Sequence, residues 1–328
     1  MAAPALDPAI GWLLGSEEPV IRYRALRDLL DLGDEDPRVA EAREAIPAGR
    51  IVGALLTDTP DRHPYSKWVG AHWRLVSLMD LGVPPDLPGA RQQVERVFRW
   101  MPGRSDPRHV AVVAGRGRFC ASQEGNALAV AVHFGLAEDP RARRLAETLT
   151  RWQWPDGGWN CDRRPEVEHA SANESLAPLR GLAALARATG DATVRAAADR
   201  AAEFFLRHRV AYSEKTGAPM HPRVVRLHYP PYWHHDFFAG LRVLAESGHI
   251  GDPRTAQALD LLESKRRPDG TWAPDARHYK SPGSATSLVE VVDWSGHRGA
   301  PIEPVTLFAL LVLKAAGRVH PVPAVTSA

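Results

Sequence analysis

DPRARRLAETLTRWQWPDGGW, from Asp139 to Trp159, and DPRTAQALDLLESKRRPDGTW, from Asp252 to Trp272, align without a gap at an offset of 113 residues. Eight of the 21 positions are identical, Pro-Asp-Gly-x-Trp among them. Each copy opens on an Asp suited to an N-cap and a Pro suited to the first helical turn. Each closes on a Pro-Asp-Gly turn, after which the Trp is expected to fold back and seal the end of the helix. Gln153 precedes the first turn, and Arg266 takes that position in the second.

Working outward, the copies belong to a longer periodicity. Six Ala/Leu/Val-rich runs each end on a glycine: Gly33, Gly82, Gly135, Gly190, Gly248 and Gly317, at intervals of 49, 53, 55, 58 and 69 residues. A glycine there predicts a left-handed C-cap, and runs apolar on most faces predict helices buried on both sides. More polar segments follow from Asp36, Pro88, Asp139, Asp191 and Asp252, with apolar residues on one stripe only. The unit is a buried helix, a short turn and an outer amphipathic helix. Connections from outer to next inner helix are long, at roughly 101–119, 155–170, 209–231 and 268–301. Long loops in a compact domain usually serve function. These are expected to gather beside the N-termini of the inner helices and form a mouth. The expected fold is all-α, an α/α toroid of six inner and roughly six outer helices, with residues 1–328 as one domain.

With its Gln-x-x-x-Gly-Gly-Trp form at Gln153–Trp159, the repeat resembles that of squalene-hopene cyclases and of protein prenyltransferase β subunits. The resemblance implies the same toroid around a central cavity. It does not carry the chemistry across. The Asp-x-Asp-Asp motif with which such cyclases protonate an alkene is absent, as is the Asp-x-Cys with which the prenyltransferases hold zinc. The terpenoid cyclase and prenyltransferase family is thus a guide to architecture, and a fold does not fix a function.

Composition narrows the classes. The chain has 328 residues, 41 Lys+Arg against 39 Asp+Glu, and a formal charge of +2, which disfavours a nucleic-acid-coating protein. Hydrophobic residues make up 44% and charged residues 24%, ordinary for a folded domain. No apolar run reaches the length of a membrane span, and the first residues lack the basic start of a signal peptide. A cytoplasmic location is the expectation. Two cysteines are too few for a disulfide framework. No nucleotide or flavin motif occurs.

Polar residues gather at the expected mouth. Cys120 starts the third inner helix, Cys161 lies in the loop before the fourth, and His169 follows at that helix's entrance. His228, His234 and Asp236 lie in the loop into the fifth. Zinc takes about four thiolate or imidazole ligands, so Cys120, Cys161, His169, His234 and His228 form the candidate Zn2+ set. The pattern is similar to that of lanthionine cyclases, another toroid with a two-Cys, one-His zinc, except that Cys161 is followed by Asp162 rather than His. Asp236, Glu174 and Glu124 are the acid/base candidates. Tyr65, Lys67, His72, Gln123, Asn173, Tyr232 and Trp233 are the candidates for substrate contact.

The favoured reading is an enzyme acting on a small, partly apolar or isoprenoid-like molecule in the cavity, by zinc-assisted or acid/base chemistry of a transferase, lyase or hydrolase. The alternatives are a non-catalytic lipid-, isoprenoid- or peptide-binding toroid and an open helical-repeat interaction protein, suggested by the HEAT-like stretch Ser16–Arg38. No nucleic-acid partner is expected, and the sequence leaves the oligomeric state open.

Overall fold

The structure is a computed structural model that describes residues 7–57, 62–101, 110–284, 288–294 and 299–319. Parts of the long loops at 101–119 and 268–301, and both ends of the expected 1–328 domain, lie outside the described residues. In chain order the helices are α1 (Pro8–Leu14), α2 (Pro19–Arg24), α3 (Pro37–Ala45), α4 (Arg50–Leu56), α5 (Ala71–Leu81) and α6 (Ala90–Trp100). A hairpin of β1 (Ala111–Val113) and β2 (Arg116–Arg118) comes next. Then follow α7 (Ala121–His133), α8 (Pro140–Arg151), α9 (Ala172–Thr189), α10 (Ala192–Arg207), α11 (Phe237–Glu246), α12 (Ala256–Ser264) and α13 (Glu303–Ala315).

The glycine-ended runs form the inner ring: α2, α5, α7, α9, α11 and α13. Every residue of α5 is buried, as is every residue of α7 from Ala121 to Ala131. Such a helix has no polar face to offer water, so it must be enclosed on all sides. Gly82, Gly135, Gly190, Gly248 and Gly317 adopt the expected left-handed backbone. The first unit differs. There α2 runs on into a π-helical turn, Ala25–Leu29, and Asp31 takes the left-handed position in place of Gly33. Asx side chains tolerate that conformation better than most residues, which is why an Asp serves.

The outer helices start as their Asp residues foretell. Asp36, Asp139, Asp191 and Asp252 each accept a hydrogen bond from the amide two residues on. In the Asp-Pro-Arg starts, the Arg also folds back as a fork on the capping carboxylate. Arg141 then reaches Glu95 of α6, and Arg254 reaches Glu203 of α10, tying adjacent outer helices together. The two Pro-Asp-Gly-x-Trp turns repeat one set of bonds. Trp159 Nε1 donates to the Leu149 carbonyl and Trp272 Nε1 to that of Leu262, each sealing the last turn of its own outer helix. The main-chain N–H of Trp159 donates to Ser175 Oγ and that of Trp272 to Thr306 Oγ1, fixing the turn to the next inner helix. Gln153 bonds the Gly157 carbonyl and reaches the Ala197 carbonyl on the neighbouring outer helix. Arg266 does the same work by other means, donating to the Gly270 carbonyl and pairing with Asp7 beside α1.

The ring closes. Residues of α13 contact α1 and α2 on one side and α11 on the other. Lys314 of α13 donates to the carbonyls of Asp28 and Leu29 and pairs with Asp31. Arg24 of α2 donates to the Leu81 carbonyl of α5. An open solenoid has no such contact between its first and last units, so the helical-repeat alternative does not describe this chain.

The tightest inner contact lies between α7 and α9. A Cβ at Gly125 would collide with the Pro178 nitrogen and the Ala177 carbonyl, and one at Gly181 would lie 2.7 Å from the Gly125 carbonyl. The two backbones therefore touch, and Pro178, having no N–H, leaves no donor stranded in the contact. We expect Gly125→Val to destabilise the protein by about 3 kcal/mol through overpacking of backbone that cannot yield. Urea denaturation of the variant beside the parent measures it.

Candidate metal centre and the two ends of the ring

Three chain segments bring the thiols together. The hairpin carries the chain to Arg118, which forms an isolated parallel bridge with Asn160. That bridge lays Cys120 alongside Cys161, although 40 residues separate them. Arg118 is buried and holds the 160–169 loop from inside, donating to the carbonyls of Asp162 (3.0 Å) and Val167 (2.8 Å) and lying 4.4 Å over the Trp154 ring. Ser175, one residue past Glu174, is pinned by the Trp159 amide. The α7–α9 contact then sets Glu174 against the start of α7, where its Oε2 accepts from the Ser122 amide at 2.9 Å.

Cys120 Sγ, Cys161 Sγ and a Glu174 carboxylate oxygen lie within 4.8 Å of one another. Among the described residues this is the one group of three or more His, Cys, Asp or Glu ligand atoms so gathered. Cys120 is exposed, Cys161 half-buried and Glu174 buried, so the group opens outward. Neither thiol is in a disulfide. The Cys161 thiol is held well above its usual range, chiefly by its hydrogen-bonded neighbour Cys120, then by burial and the Glu174 charge. A divalent cation reverses that preference, because thiolates repel each other until a positive charge lies between them. Two thiols and a carboxylate suit zinc and leave a fourth position for another ligand.

The histidines stand elsewhere. His169 is exposed, and its carbonyl accepts from Asn160 Nδ2. His234 stacks between Trp233 (ring centroids 4.0 Å apart) and His278 (3.6 Å), and its Nδ1 faces the Pro231 carbonyl. His278 stacks in turn on His228 at 4.4 Å. Asp236 caps α11 through the Ala239 amide and binds the main-chain N–H and Nδ1 of His228, so both its oxygens are engaged.

The remaining candidates divide between rim and plug. Tyr65 reaches the rim beside Gln123 and feels the charges of Glu174 and Glu124; burial keeps its phenol protonated. Gln123 and Glu124 are buried in the first turn of α7. His72 packs edge-on against Trp73 and beside Tyr65. Asn173 accepts the His235 amide. Tyr232 stacks face to face on Trp68 at 3.8 Å and donates to Glu290. Lys67 lies 5.1 Å over the Trp233 ring. These aromatic side chains fill the end where the sequence suggested an open mouth. The hollow below Tyr232 and Trp233 measures about 30 Å³, room for one water.

At the opposite end, where the inner helices stop, lies a basin of about 700 Å³. A groove of about 870 Å³ also runs outside the ring, between α8 and the start of α10. The basin floor holds buried Asp80, paired with Arg180 and, at 3.1 Å, with Arg242. Burial alone would raise the Asp80 pKa, but these two guanidiniums outweigh it and hold the carboxyl below its usual range. Neither this cluster nor Glu290 and His278 was among the residues the sequence singled out. Charges set inside the apolar runs, at Asp80, Arg180 and Arg242, were the available signal.

No family model matches the chain, and no curated protein matches it. Among solved structures it is similar to a GH76 alpha-mannanase of Bacteroides thetaiotaomicron, a selenomethionine derivative, at 10% identity over 96% of this chain and 87% of that one, TM-score 0.49. It is also similar to a protein from Actinoplanes at 18% identity over 94% of this chain and 98% of that one, TM-score 0.43. Similarity at this level transfers no activity. Among the described residues no helix is long and apolar enough to cross a membrane.

Two predictions follow from burial. Desolvation pushes His72 and His278 down to about 3 and His234 and His235 down to about 4. The folded state thus refuses protons that the unfolded state takes up below about pH 6.5, so stability falls as pH falls through that value. Fully buried His72 alone contributes up to about 1.4 kcal/mol per pH unit, and urea denaturation from about pH 7.5 to about pH 5.5 should show a shallower slope in His72→Phe. Asp80→Asn, which strands the buried Arg242 guanidinium and leaves Arg180 with Glu246 alone, is expected to cost about 3 kcal/mol at neutral pH, read from the same curves.

Proposed function

We propose that this chain is an enzyme of the α/α-toroid class, working at a zinc centre formed by Cys120, Cys161 and Glu174 on a small, partly apolar substrate. The observation that carries the reading is the gathering of three donor atoms within 4.8 Å from distant segments. Zinc held there would supply a Lewis acid to a polar atom of the substrate. Of the acid/base candidates, Glu174 is assigned as a ligand and Asp236 as a cap, and Glu124, in the first turn of α7, is the group assigned to exchange a proton with substrate. The protonated Tyr65 phenol and Gln123 orient the substrate's polar part, and the Tyr65 ring offers its apolar part a wall, with His72 packed behind it. A transfer, an elimination and a hydrolysis are each compatible with this set, and an isoprenoid is one substrate of suitable chemistry. Exposure of Cys120 supports access from solvent.

Metal analysis of protein purified under reducing conditions tests the proposal. We expect about one zinc per chain, loss of that stoichiometry in Cys161→Ala and in Glu174→Gln, and zinc-dependent protection of both thiols from alkylation. Absence of stoichiometric metal, with thiols alkylated equally fast in the presence of added zinc, overturns it and leaves the non-catalytic binding toroid.

A further inference from the structure

The basin at the C-terminal ends of the inner helices differs in chemistry from the thiol rim. Five guanidiniums line it: Arg24, Arg27, Arg180, Arg187 and Arg242. Three carboxylates answer them, those of Asp28, Asp80 and Glu246. The sharing is explicit. Asp28 takes both Arg24 and Arg27, the latter at 2.6 Å. Asp80 takes Arg180 and Arg242, and Glu246 takes Arg180 at 2.6 Å. Arg187 has no carboxylate partner among the described residues; it donates to the Glu246 carbonyl and is itself exposed. The wall therefore carries two positive charges in excess.

Two other groups bear on that balance. His133, the one histidine on the wall, is pushed down to about 4 by burial and adds no charge at neutral pH. Helix ends turn carbonyls to this side, and a bare carbonyl cluster would repel an anion. Here the ends are satisfied. Arg24 binds the Leu81 carbonyl, Arg187 that of Glu246, and the Gly82 and Gly317 amides cap Met79 and Lys314. The rest of the wall is apolar, with Met79, Val132, Phe308, Leu311 and Val312 facing the same space. A concave site of this size, mostly apolar with a few convergent charges, is the usual form of a small-molecule pocket.

We propose that this basin binds an amphiphilic anion, an aliphatic carboxylate, with its headgroup at Arg187 and its chain against Phe308 and Leu311. The guanidinium fork matches a planar carboxylate in two parallel hydrogen bonds, and the uncommitted charge at Arg187 is what the headgroup neutralises. The chain displaces water from an apolar wall that the ring cannot close over.

Isothermal titration of the full chain with octanoate, octanol, octyltrimethylammonium and inorganic phosphate tests this. Octanoate should bind saturably at one per chain, with octanol, the ammonium and phosphate each at least about tenfold weaker. Arg187→Gln should weaken octanoate by about tenfold or more, the loss of a charge-assisted contact, without moving the melting temperature. Leu311→Ala should weaken it by several-fold. Cys161→Ala should bind octanoate as the parent does, so this site stands or falls apart from the zinc centre. Equal binding of octanol and octanoate, phosphate binding as tight as octanoate, an unchanged Arg187→Gln, or no saturable heat with octanoate each overturns the proposal.

Discussion

The Trp159 amide on the Ser175 hydroxyl, repeated as Trp272 on Thr306, is the bond on which the arrangement turns. An outer helix and the next inner helix are joined by a long loop, and a loop alone does not set their relative height. The Pro-Asp-Gly turn does so by holding the outer helix through the indole and the inner helix through the main chain. In the first copy the residue two beyond that Trp is Cys161, and the residue before that Ser is Glu174. One hydrogen bond thus fixes two of the three donor atoms relative to each other. The third arrives through the bare contact of α7 with α9 at Gly125, where a missing side chain lets the two backbones meet.

Much of the architecture was readable beforehand because it rests on local chemistry. Helix starts at Asp-Pro, stops at left-handed glycines and all-round apolar runs are each decided within a few residues. Gly33 shows the limit: the run predicts a left-handed Gly33, and the π-turn that follows α2 puts Asp31 in that conformation instead. The pairing of Cys120 with Cys161 depends on the Arg118–Asn160 bridge, which no spacing rule encodes. Glu174 was legible as a carboxylate at a helix start, but its place beside sulfur follows from how closely two helices pack. His234 and His228 share the expected end of the ring, yet aromatic stacking and the Asp236 cap consume them.

The two ends of the ring solve different problems. At the N-terminal end, long loops bring Trp68, Tyr232 and Trp233 over the opening, and flat faces in contact leave little room. At the other end the connections are short, so nothing is available to cover the axis and a basin remains. The Asp80 charge buried on its floor survives because it is shared between Arg180 and Arg242. Such sharing costs desolvation that only close pairing offsets.

The Lys314 amine bonds a carbonyl 286 residues earlier in the chain. Until α13 arrives, the flank of α2 that it will cover has no neighbour, and every preceding hairpin is held in a strip rather than a hoop. Joining such distant ends carries a large loop-closure entropy, so docking of the last helix is a late event in folding. A growing polypeptide therefore carries an uncovered greasy seam for most of its synthesis, a period in which association between nascent chains competes with maturation.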